Sequence, residues 1–167
     1  MRGIFFIAAT AMLLSVGAVR ADDGCNKFAW PLDKERAALA TADKQPVKAG
    51  DTLAVWPTGA FTVTLRPGPQ ADFALPPERK PNADGYGGAV RLPAPAKPGL
   101  YQIALSDEAW IDVVQDGRYL RSVSHSGRTD CPGLRKVVRF ELSTGPLVLQ
   151  LSGVAAGTIS VFAGAAE

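Results

Sequence analysis

From Val47 onward, hydrophobic and polar positions alternate in short runs, and the period is two. In "AFTVTL" (60–65), Phe61, Val63 and Leu65 fall on one face and Thr62 and Thr64 on the other, the pattern of a half-buried strand. "LYQIAL" (100–105), "WIDVV" (110–114), "RYLRSV" (118–123), "KVVRFEL" (136–142), "LVLQL" (147–151) and "TISVFA" (158–163) are read as strands in the same way. Val138, Phe140 and Leu142 are expected to share an interior with Leu147, Leu149 and Leu151, which leaves Arg139, Glu141 and Gln150 outside. "TLAVW" (52–56), "DFAL" (72–75) and "AVRL" (89–92) are shorter candidates. Between them lie the breakers: Pro57-Thr58-Gly59, the proline- and glycine-rich loop "PPERKPNADGYGG" (76–88), and "PAPAKPG" before the strand at 100. Asp116-Gly117 supplies the positive φ values of a two-residue hairpin turn. Nine or ten such strands at regular spacing predict a mainly β fold, an antiparallel sandwich or jelly roll.

The residues before Val47 read differently. Pro31, Asp33 and Glu35, followed by Ala37, Ala38, Leu39 and Ala40, predict one short helix from Leu32 to Ala42. Its charged residues are expected to face water while Phe28, Trp30 and Leu39 dock on the body. Ahead of it, Arg2, an apolar run from Ile4 to Val19 and the small residues of Val19-Arg20-Ala21 have the anatomy of a cleavable secretory leader over 1–21. The run is shorter than the roughly 20 residues that span a bilayer. Asp22-Asp23-Gly24 before Cys25 argues against lipidation. The expectation is a periplasmic or secreted chain, one β-sandwich domain over 22–167, with no transmembrane segment in the mature form.

Composition narrows the partners. The 167 residues less the 21 of the leader leave 146, the size of one domain. Without Arg2 and Arg20, the 18 basic residues become 16 against 16 acidic ones, so no basic field favours nucleic acid. The two cysteines permit one intramolecular pairing, and export favours its formation, so a Cys25–Cys131 disulfide is expected.

"AVRLPAPAKPGLYQIALSDEAWIDVVQDGRYL" (89–120) carries a Pro-Gly-aromatic strand opening followed by a "W-I-D-V-x-x-D-G" hairpin. In this it resembles jelly-roll carbohydrate-binding modules and bacterial pre-peptidase C-terminal domains, which implies a β-sandwich. With its "C-x-x-F-x-W" start and "L-x-L-S-G" ending, the chain also resembles small exported proteins of proteobacteria, some of which carry the name homogentisate dioxygenase.

Chemistry argues against that activity. A non-haem iron site of that type needs two histidines and a carboxylate, and His125 is the sole histidine. "SHSGRTDC" (124–131) sets Ser124 and Ser126 beside His125, but neighbours on an extended segment point opposite ways, and no Gly-x-Ser-x-Gly elbow occurs. Asp107 and Asp116 suit turns, and Asp112 alternates onto a solvent face; a glycosidase pair stays open, and no calcium loop is present. No catalytic residue, metal or cofactor is therefore assigned. Trp30 and Trp110 read as packing residues. Trp56 and Tyr86, beside proline and glycine, read as exposed binding rings, and His125 with Arg128 as a polar pair on a loop that leaves the sheet at Gly127. The resulting expectation is a monomeric, non-catalytic binding protein for a small molecule, glycan or envelope protein. The alternatives are a metal- or carboxylate-dependent enzyme, or a structural envelope protein.

Overall fold

A computed structural model describes residues 24–82 and 84–166. The leader expected over 1–21 lies outside the described residues. The elements, in order, are helix α1 (Asp33–Ala40) and strands β1 (Gln45–Lys48), β2 (Phe61–Thr64), β3 (Arg66–Pro67), β4 (Tyr86–Leu92), β5 (Gly99–Leu105), β6 (Trp110–Gln115), β7 (Arg118–Tyr119), β8 (Ser122–Gly127), β9 (Lys136–Leu142), β10 (Leu147–Val154) and β11 (Thr158–Ala165). They form two sheets, one ordered β1-β2-β11-β5-β9-β8 and the other β3-β4-β10-β6-β7. Among these strands, β1 and β2 pair in parallel and the other pairings are antiparallel.

The two sheets face each other as a β-sandwich, and the period-two pattern shows why. Phe61, Val63, Ile103, Leu105, Val138, Phe140 and Leu142 of the six-stranded sheet meet Val90, Leu92, Ile111, Val113, Leu147, Leu149 and Leu151 of the five-stranded one in a single core. Burying one such side chain is worth about 1.5–3 kcal/mol. The β6–β7 turn has positive φ at both Asp116 and Gly117, as the Asp-Gly pair requires.

Some strands depart from expectation. "RYLRSV" is two strands: β7 belongs to one sheet and β8 to the other, and the chain crosses the edge of the sandwich between them, with Leu120 packed on the core. "TLAVW" reduces to one bridge between Thr52 and Arg91, and its Val55 is exposed. "DFAL" is not a strand; it crosses the outer face of the five-stranded sheet, held by a side chain rather than by a ladder. Conversely, Ser122–Gly127 stays in the sheet, so "SHSG" is edge strand, not loop. Gly127 pairs with Lys136, and the Arg128 N–H continues the ladder to the Arg135 carbonyl.

Both outer faces are partly roofed, and this overturns the expected exposure of several polar residues. Over the six-stranded sheet, Phe28, Leu32 and Leu39 pack on Ala104, Val137 and Phe162 beside the Cys25–Cys131 disulfide. Glu35, expected in water, is only 3% exposed. The Gln102 amide donates to its Oε1 at 2.7 Å, while Gln102 Oε1 accepts from Trp30 Nε1 and Arg139 Nε. The Arg139 guanidinium stacks 3.9 Å from the Trp30 ring centroid. The eight-residue helix is too short to stand alone, so this docking is what holds it.

Candidate functional site: the roofed face of the five-stranded sheet

The outer face of this sheet carries Trp110, Asp112 and Val114 from β6, and Val148, Gln150 and Ser152 from β10, paired across the ladder. Alternation assigns these positions to the outside. Asp112 and Gln150, expected in solvent, are 3% and 1% exposed because the 71–82 segment lies on top of them. Gln150 acts as a two-sided latch: its Nε2 donates to the Leu75 carbonyl at 3.1 Å, and its Oε1 accepts from the Leu75 N–H at 3.0 Å. Asp112 Oδ2 accepts from the Glu78 N–H at 3.2 Å, and Oδ1 accepts from Trp110 Nε1 at 2.7 Å. The Tyr119 hydroxyl donates to the Pro76 carbonyl. Farther along, the Phe73 ring lies over Gly87, where a Cβ would come within 2.9 Å of it, so only glycine fits beneath it.

The latched roof leaves an opening on either side. On the Leu75 side is an apolar cleft of about 470 Å³ whose walls include Ala74, Leu75, Val114, Val148 and Pro146, with Arg91 at its rim. On the other side, where β10 bulges at Gly153, is a polar hollow of about 280 Å³ bounded by Arg79, Lys80, Asn82, Glu108, Trp110 and Ser152. A smaller hollow of about 180 Å³ opens at the sandwich edge between Trp110, Leu120 and His125.

Burial pushes the Asp112 carboxyl above the ordinary 3.8, and the hydrogen bonds from Trp110, the Glu78 backbone and Gln150 oppose that rise. A group that holds its proton more tightly when folded contributes stability that is full below 3.8 and is lost as pH rises through the elevated native value. The stability of the wild type should therefore decline with pH in that window, and Asp112→Asn should flatten the decline. Urea midpoints between about pH 3 and about pH 7 measure it; an unchanged slope in the variant would refute the assignment.

The structure does not bring the four sequence-derived binding residues together. Trp56 is half-buried, donates from Nε1 to the Ala163 carbonyl at 3.2 Å and meets the Tyr101 ring edge-on at 5.3 Å. Tyr86 packs on the core and lies against Gly157, six residues back along the chain that forms β11 and thus roughly 20 Å from Ala163 at the rise of a strand. Both rings, expected to be exposed, are partly covered because each packs against the core. Arg128 is committed to a two-pronged pair with Asp130 at 2.8 and 2.7 Å and holds that carboxyl below the usual range. Asp130 in turn sits against Gly24, where a Cβ would lie 2.0 Å from Oδ1. His125 alone of the four lines one of these openings, exposed on the edge strand opposite its register partner Val138. Comparison with known protein families, with curated proteins and with solved structures finds no match.

Trp110, read as a packing residue, instead stands half-buried between the polar hollow and the edge hollow. Arg79 and Lys136 lie over its ring at 5.8 and 5.5 Å from the centroid. Among the described residues, no group of three or more His, Cys, Asp or Glu is placed to hold a metal ion. The sequence signal for the latch was a polar residue inside otherwise apolar runs, Asp112 in "WIDVV" and Gln150 in "LVLQL".

Proposed function

We propose that this is an exported, non-catalytic binding protein that takes a small, largely apolar molecule into the cleft beneath the 71–82 roof. The cleft itself carries the reading: about 470 Å³, walled by aliphatic and proline side chains, is the size and character of a small-molecule site. Arg91 at the rim forms no ion pair with a described residue and offers a polar end an anchor; one of its nitrogens donates to the Gly50 carbonyl at 3.2 Å. Export is supported by the Cys25–Cys131 disulfide, which belongs to an oxidising compartment. A binding role rather than catalysis is supported by the way the candidate acids are used. Asp112 latches a loop, Asp130 pairs with Arg128, and Glu108 pairs with Arg135 at 2.6 Å.

The test is titration of the wild type and Val148→Arg with an apolar fluorescent probe, 1-N-phenylnaphthylamine. Val148 is half-buried in the wall, so the arginine fills the cleft with little harm to the core. The expected result is saturable binding to the wild type that weakens by about tenfold or more in the variant, about 1.4 kcal/mol, at similar thermal stability. Equal binding by both proteins, or none by either, would overturn the reading.

A further inference from the structure

We propose that the polar hollow at the β10 bulge is an oxyanion site. It takes the phosphate or sulfate group of a small ester between the Arg79 guanidinium and the Lys80 ammonium, with the Ser152 hydroxyl of its wall as a donor. It is separate from the apolar cleft, at the other end of the same roof.

Three observations carry the assignment. First, the hollow holds unspent positive charge. Neither Arg79 nor Lys80 forms an ion pair with a described residue, and Arg79 is held in place over the Trp110 ring rather than by a carboxylate. Second, Ser152 is 2% exposed, and its Oγ is the one buried side-chain polar atom among the described residues without a hydrogen-bond partner. A buried hydroxyl left unpaired is costly, so one kept on the wall of a charged hollow has its natural partner in a ligand. Third, the placement is built by the backbone. The unbroken register of β10 with β6 sets Ser152 opposite Trp110, and just beyond it the pairing of β10 with β4 shifts between Leu151 and Val154, with positive φ at Gly153.

The nearby carboxylates do not cancel this charge. Glu108, which also bounds the hollow, sits 2.6 Å from Arg135 and 3.7 Å from Lys136. Asp112 lies beneath Trp110 and is used by Trp110, the Glu78 backbone and Gln150. Glu78 borders the edge hollow, on the other side of Trp110. The indole is not a stacking platform for a sugar ring, because Arg79 and Lys136 lie over it. Its role is to seat cations that meet an oxyanion, with the charge-assisted hydrogen bonds such groups make.

The experiment is a backbone-amide and indole NMR titration of the full mature chain with inorganic phosphate, sulfate, glucose 6-phosphate and glucose 6-sulfate, each against sodium chloride at matched ionic strength. Saturating shifts at Ser152, Gly153 and the Trp110 indole are expected with the oxyanions and not with chloride. The two esters distinguish a phosphate from a sulfate ligand. Arg79→Gln with Lys80→Gln should weaken binding about tenfold or more. Ser152→Ala should weaken it severalfold while leaving thermal stability equal or higher, a combination that a purely structural serine would not produce. Shifts no larger than those with chloride would overturn the proposal. So would unaltered affinity in the Arg79/Lys80 variant, or binding confined to phosphatidylglycerol vesicles without any to the free esters.

Discussion

Replacing Cys25 and Cys131 together by serine is expected to cost about 2–5 kcal/mol of folding stability. The bridge closes a loop with a sequence separation of 106, and its effect on the unfolded chain grows with the logarithm of that length. Its effect on the folded state is local. Cys25 and Cys131 sit in the satellite core where Phe28, Leu32 and Leu39 cover the outer face of the six-stranded sheet. With the bridge gone, that layer is held by those apolar contacts and by the Glu35–Gln102–Trp30 hydrogen bonds, against the entropy of a freed chain end. Two measurements check this. Urea unfolding of the double variant should show a lower midpoint, and amide exchange should accelerate first in Asp33–Ala40 while the β10 amides stay protected until global unfolding. A stability change below about 0.5 kcal/mol, or uniform acceleration across both elements, would contradict the assignment of the bridge as the anchor of the N-terminal layer.

Replacing Gln150 by leucine is expected to cost about 1–3 kcal/mol and to release the roof of the five-stranded sheet. The side chain fits the space, but it can neither donate to the Leu75 carbonyl nor accept from the Leu75 N–H, so both backbone groups lose their partner. Asp112 and Tyr119 still hold Glu78 and Pro76, so the segment should loosen at its Leu75 end, beside the apolar cleft. Limited proteolysis is expected to cut within 71–82 in the variant and to spare the wild type. Gln150→Glu should be worse than leucine, because Gln150 is the register partner of Asp112 and a second carboxylate would face the first. A variant that is as protease-resistant as the wild type would show that the roof rests on other contacts.

The strands that set the scaffold were readable from alternation alone. β9 spans the seven residues of "KVVRFEL", and its Val138, Phe140 and Leu142 share one core with Leu147, Leu149 and Leu151 of β10. The reason is local: a strand with one face in the core must alternate, and a slip of one residue would turn Leu149 outward and Gln150 inward. Asp116-Gly117 marked its hairpin because few residue pairs tolerate positive φ twice in succession. The pairing of Cys25 with Cys131 followed from their number and the expected compartment.

Alternation could not say what lies over the outer faces. It assigned Asp112 and Gln150 to the polar side and hence to water, as charge did for Glu35 on the helix. Yet all three are buried, because an N-terminal layer and a proline-rich loop fold back over the two sheets from distant parts of the chain. The same limit applied to the aromatic residues. Proximity to proline and glycine suggested Trp56 and Tyr86, whereas the ring that borders the openings is Trp110, whose setting depends on Arg79 and Lys136. A one-dimensional pattern fixes which side of a strand a residue is on, since that is a property of neighbouring backbone dihedrals. Whether that side meets solvent, a roof or a cleft depends on contacts between residues tens of positions apart, and only the tertiary structure decides them.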